Sequence, residues 1–137
     1  MMQHEKDELL ALFENEGKWC QLVEARDRRQ SPVHYSDATA TAWDVVGGMC
    51  VLFGWDRAFS LFVQVGRHIA GVQRCRTRRD REIAAMVSLQ DFNDRCDTTY
   101  DVIMERLRTM PVYCPRPSLP AEASGAQPSS TSTLCSW

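Results

Sequence analysis

The stretch Arg57-Ala58-Phe59-Ser60-Leu61-Phe62-Val63-Gln64-Val65-Gly66-Arg67-His68-Ile69-Ala70, residues 57–70, has the clearest periodicity in the chain. Ala58, Leu61/Phe62, Val65 and Ile69 recur at three- and four-residue intervals, and Arg57, Ser60, Gln64 and Arg67 take the opposite side. This contrast predicts an amphipathic helix with one side buried in a domain and the other in water. Gly71 is its natural stop. His68 lies beside Leu61 and Val65 with no partner at ligand spacing, and reads as a boundary residue rather than a metal ligand.

Working back toward the start, Ser36 or Asp37 caps an expected helix whose buried face is Ala42/Trp43, Val46, Met49/Cys50 and Phe53. Gly47 and Gly48 lie inside it at a cost of about 1 kcal/mol each relative to Ala, which implies close approach of another backbone. Gly54 ends that helix. Trp55 reads as packing over the junction with the next helix; exposed, it would be an anchor for a partner protein. Residues 18–35 are the least helical part. Trp19–Val23 and Val33–Tyr35 flank the polar loop Arg26–Pro32, a pattern that predicts a two-stranded ribbon. The first helix is expected from about His4 to Asn15.

Downstream, the run Arg74-Cys75-Arg76-Thr77-Arg78-Arg79-Asp80-Arg81 separates residues 57–70 from a helix over about Arg81 to Phe92. That helix is apolar over a wide arc, and its breadth predicts the most buried element of the domain. Asn93–Asp97 reads as a turn. Thr98-Thr99-Tyr100-Asp101 forms a capping-box pattern opening a last helix that Pro111 stops. Beyond Cys114, Pro115, Pro117, Pro120 and Pro128 mix with Ser, Thr, Ala and Gly. The few apolar side chains there predict a disordered Pro/Ser-rich tail. The expected architecture is therefore mainly α: a single domain over 1–113, a bundle of about five helices with a small two-stranded β-ribbon, and a tail over 114–137. The second, fourth and fifth helices are expected at the centre.

Composition narrows the function classes. The 137 residues carry a net charge of −2, which gives no overall bias toward nucleic acid or anionic lipid. The N-terminal residues show no basic segment followed by an apolar one, and no run approaches a membrane span, so a cytoplasmic location is expected. The six cysteines are widely spaced with no CxxC pair. They read as free thiols, without a disulfide framework, a zinc site or any other cofactor.

Three further candidate sites compete with structural readings. Cys20 could act as a nucleophile with His34 as base and Asp27 or Asp94 as the orienting group; its alternative is a buried small hydrophobe. Asn93 and Asp94 read as inter-helix caps, or else as a polar site facing Trp19 and Asp44. The arginines at 74, 76, 78 and 79 could contact phosphates with salt-sensitive affinity. No aromatic residue is interleaved there to stack on bases, and pairing with Glu82 and the acidic first helix is the stronger reading.

Taken together, Trp19-Cys20-Gln21, Ala25-Arg26-Asp27 with Pro32-Val33, Trp43-Asp44-Val45-Val46-Gly47, and Phe92-Asn93-Asp94 before a helix with Val102 and Leu107 resemble a family of short bacterial and phage proteins of unknown function. The resemblance spans roughly residues 8–110. It implies the same domain outline and carries no activity. The expected function is a non-catalytic protein-binding or regulatory module, phage- or mobile-element-associated, with another protein as partner. The alternatives are a small enzyme using Cys20 with His34 or Asp94, and a weak nucleic-acid binder through Arg74–Arg81.

Overall fold

The computed structural model describes residues 1–71 and 76–115. Five helices and a small antiparallel sheet follow one another: α1 (Gln3–Leu12), β1 (Ala25–Asp27), β2 (Pro32–Val33), β3 (Ala40–Trp43), α2 (Val45–Phe53), α3 (Trp55–Ile69), α4 (Arg78–Asp94) and α5 (Tyr100–Arg108). The fold is mainly α. Among the described residues, no helix is long and apolar enough to cross a membrane. Residues 72–75 and 116–137 lie outside the described residues, and with them Arg74, Cys75 and nearly all of the expected tail.

The sheet has three strands where the sequence predicts two, in the order β2-β1-β3. Ala25 pairs with Val33 on one side and with Trp43 on the other. The extra strand, Ala40–Trp43, occupies residues expected inside a helix. Asp44 makes the difference: its extended backbone and its carboxylate, which accepts from Gly47 N–H, start α2 there rather than at Ser36 or Asp37. Trp19–Val23 precedes the sheet rather than forming a strand of it, touching it through the bridge from Trp19 to Trp43 and a bond from the Arg26 guanidinium to Gln21 O.

α2 is the most enclosed element. Val45 through Cys50 are all buried, with Leu9 and Phe13 from the first helical segment and Leu61, Phe62 and Val65 of α3 in the same core. Gly47 confirms the expected backbone approach: a Cβ there would stand 2.2 Å from Glu24 O, so only glycine fits. α3 follows its amphipathic pattern closely, burying Ala58, Leu61, Phe62, Val65, Gly66 and Ile69. It packs most extensively on α4, where Gly66 meets Ala85.

α4 differs most from expectation. It begins at Arg78, so the second half of the arginine run is its first turn, with Thr77 accepting from Asp80 N–H. It buries only Ala85, Leu89 and Asn93, and leaves Ile83 and Val87 exposed. Its apolar arc is wide, but one side of that arc, at Ile83 and Val87, stays exposed. The centre of the bundle is accordingly α2 and α3. Asn93 and Asp94 form the last turn of α4 rather than a free turn, and Thr99 rather than Thr98 caps α5.

Candidate functional site: a polar latch and an aromatic corner

The last turn of α4 holds residues 19–22 through a chain of side-chain hydrogen bonds. Asn93 is 1% exposed and works in both directions. Its Oδ1 accepts from Trp19 Nε1 at 2.8 Å, and its Nδ2 donates to Cys20 O at 3.0 Å and to Asp94 Oδ1 at 3.0 Å. Gln21 Nε2 returns the link by donating to Asn93 O at 2.5 Å. Leu22 N–H donates to Asp94 Oδ1 at 2.7 Å. A buried amide with its polar atoms partnered rigidifies what it joins. Trp19 also lies against Tyr100, whose hydroxyl donates to Phe13 O at 2.6 Å.

The latch holds Leu22 in the left-handed region, at φ +70°, with its side chain 73% exposed. A leucine is strained in that conformation and persists there only because its surroundings fix it. Beside it opens a groove of about 410 Å³ whose lining includes Glu24, Asp44, Asp91 and Asp94. Burial pushes the Asp44 carboxyl up to about 7; the bond from Gly47 N–H opposes the rise, and the charges of Asp94 and Glu24 add to it. Asp44 is therefore a carboxyl that holds its proton far above the ordinary carboxylate range while capping the N-terminus of α2.

The same acidic surroundings decide the chemistry of Cys20. Burial pushes its thiol up to about 12; Asp44 raises it further, Arg26 opposes, and Asp94 adds to the rise. A nucleophilic cysteine needs a positive neighbourhood that favours thiolate, and Cys20 has the reverse. Its Sγ donates to Val23 O at 3.6 Å. His34 is exposed beyond β2, where its Nδ1 pairs with Ser36 Oγ at 2.7 Å. Among the described residues, no hydrogen bond joins Cys20 to His34 or Asp94. Asp27 is occupied by its own hairpin turn, accepting from Arg29 and Ser31 N–H. Among the described residues, no group of three or more His, Cys, Asp or Glu is placed to hold a metal ion.

The sequence offers Trp19, Asp44, Asn93 and Asp94 as one polar group only as the alternative to local caps; Trp19 and Asn93 meet in the latch, and Asp44 and Asp94 line the groove. Gln21, Leu22 and Glu24 escaped notice. Gln21 adjoins the conspicuous Trp-Cys pair, but nothing in the local pattern signals a left-handed leucine.

A second feature lies at the corner between α2 and α3. Gly54, at φ +75°, turns the chain so that α3 starts immediately at Trp55. Trp55 stacks on Phe59 at 5.5 Å and meets Phe62 edge-on at 6.3 Å, yet remains 46% exposed. Val51, in the last turn of α2, is 39% exposed. The expected packing is thus real on one face of the indole, and the other face is open. Of the arginine run, the exposed Arg78 pairs with Glu82 at 3.1 Å, and Arg76 and Arg79 are exposed. His68 pairs with Thr109 at 3.1 Å.

No protein-family model, curated protein or solved structure matches this chain.

Proposed function

We propose that the chain is a small non-catalytic protein-binding module with a regulatory role, of the kind carried by phages and mobile elements, and that Trp55 is its principal contact. The observation that carries this reading is an indole held on one side by Phe59 and Phe62 and open to water on the other. An aromatic side chain already fixed in place loses little conformational freedom on binding, and Trp is enriched among residues that dominate interface energy. The inaccessible, acid-flanked thiol of Cys20 argues against the enzymatic alternative.

The test is capture of partners from the native host with immobilised wild-type chain and with Trp55→Ala, followed by mass spectrometry and a direct affinity measurement on whatever is retained. A hot-spot tryptophan predicts a loss of about 30-fold or more in affinity, equivalent to about 2 kcal/mol. Retention unchanged by the substitution, in a variant whose melting temperature is preserved, removes Trp55 from the reading.

A further inference from the structure

We infer that α4 is also a self-association surface, on which a second copy of this chain docks antiparallel about a two-fold axis passing between Ile83 and Val87. The surface is the row Arg79, Ile83, Val87 and Asp91. These residues are four positions apart and form one ridge along the helix, about 18 Å from end to end. All four are exposed, Ile83 to 41% and Val87 to 44%. Two apolar side chains thus sit in the middle of a ridge that has a cation at one end and an anion at the other.

The charge order along α4 is the reverse of what a helix prefers for itself. A helix N-terminus favours acidic side chains and a C-terminus basic ones. Here Arg78, Arg79 and Arg81 crowd the first turn with only Asp80 to oppose them, while Asp91 and Asp94 occupy the last turns and no basic residue stands there. Arg78 has Glu82 as its partner; among the described residues, no ion pair within the chain engages Arg79 or Asp91. A helix that is electrostatically unfavourable alone becomes favourable against its own antiparallel copy.

The spacing fits that occupant. A two-fold axis midway between Ile83 and Val87 relates 83 to 87 and 79 to 91. Ile83 of each copy then faces Val87 of the other, and the two Arg79–Asp91 pairs close the ends. Such an interface is isologous and closes at the dimer. A pair of crossing helices buries less than the roughly 1,600 Å² of a standard interface, so the dimer is a weak one, with half-association at about 10–100 μM. This surface does not include Trp55, which lies in the corner between α2 and α3 against Phe59 and Phe62.

The experiment is sedimentation equilibrium of the full chain across that concentration range. It is run at low and high ionic strength on wild type, Arg79→Glu, Asp91→Arg, the double variant, an equimolar mixture of the two single variants, and Ile83→Asp. Wild type is expected to dimerise and to weaken with salt as the end pairs are screened. Each single reversal places like charges at both ends and is expected to weaken association by about tenfold or more. The mixture and the double variant restore opposite charges at both ends and are expected to recover it; Ile83→Asp abolishes it. Because all these positions are exposed, matching melting temperatures establish that the variants fold. A wild-type monomer throughout the range overturns the proposal, whether the ridge is then bare, covered by residues 116–137 or reserved for a different protein. So does a dimer indifferent to the single reversals, or a mixture that fails to recover.

Discussion

Asp44 concentrates in one carboxyl the tension between capping a helix and being buried. It is 3% exposed and caps α2, and burial raises its pKa from 3.8 to about 7. The folded state therefore holds this proton more tightly than the unfolded state does. Its contribution to stability is complete below about pH 4 and is lost as pH rises through about 7. Asparagine has nearly the same shape, caps as well, and does not ionise. Asp44→Asn is expected to gain stability relative to wild type by about 2–4 kcal/mol between pH 4 and pH 7, with a level difference above that. Urea denaturation at several pH values reads this directly, and a difference independent of pH contradicts it. Glu5 runs the other way: its bidentate pair with Arg57 lowers its pKa, so its contribution disappears as pH falls, equally in both variants. Asn93 tests the latch itself. Asn93→Ala leaves Trp19 Nε1 and Cys20 O without the partners they have now, and a loss of about 2–4 kcal/mol in denaturant unfolding is expected; a loss below about 1 kcal/mol would mean that water replaces the amide at little cost. Sequence alone placed Asn93 and Asp94 near Trp19 only as one of two readings. Asx residues between helices cap locally far more often than they reach across 74 positions, and no local pattern separates the two cases.

Among elements, α2 shows how the same residues satisfy two periods. Ala42 and Trp43 fall on the face that Val46, Met49 and Cys50 define, so a 3.6-residue reading extends the helix backward over them. Alternation over Ala40-Thr41-Ala42-Trp43 satisfies a strand equally well, and pairing with Ala25 and Arg26 decides for the strand. The glycines of this region were more legible, because a pair of glycines inside an apolar helix demands a close neighbour. Gly47→Ala is expected to destabilise by about 2–4 kcal/mol although alanine favours a helix by about 1 kcal/mol. The added methyl would meet the carbonyl of Glu24, a backbone atom also accepting from Asp44 N–H and unable to swing aside. Gly54→Ala meets nothing within 4 Å, and its cost of about 1–3 kcal/mol arises from the backbone alone, φ +75° and ψ 160° being a region open essentially only to glycine. Thermal melts of the two variants separate collision from backbone strain; equal losses would deny the distinction. α3 was read almost to its ends because burial on one face and solvent on the other leave the period unmixed. α4 buries less than its sequence implies because apolar breadth says how much surface is oily and not how much of it is covered.

For the molecule as a whole, the question is whether residues 19–24 open separately or only with the core. The connections favour one cooperative unit. Cys20 N–H donates to Trp43 O, Asp44 N–H donates to Glu24 O, and Asp44 caps the helix that contains Cys50. The segment cannot leave without uncovering the start of α2. The ends of the domain are tied in as well, with Lys6 Nζ donating to Arg108 O and Met110 O, the last carbonyls around α5, from 102 and 104 positions away. Cysteines report on this coupling. Cys96 and Cys114 are exposed, whereas Cys20 and Cys50 are buried with thiols pushed up to about 12. At pH 8 only a fraction on the order of one in ten thousand of either buried thiol is ionised in the folded state, so alkylation there must proceed through opening. Peptide mapping after timed alkylation is therefore expected to show Cys96 and Cys114 modified early. Cys20 and Cys50 should follow much later, at rates within about threefold of each other and accelerating together as urea is added. Asn93→Ala should speed both alike, because weakening the latch lowers the stability of the whole unit. If Cys20 instead outruns Cys50 by about a hundredfold without denaturant, residues 19–24 form a flap of their own, and the latch is a local fastening rather than part of the core.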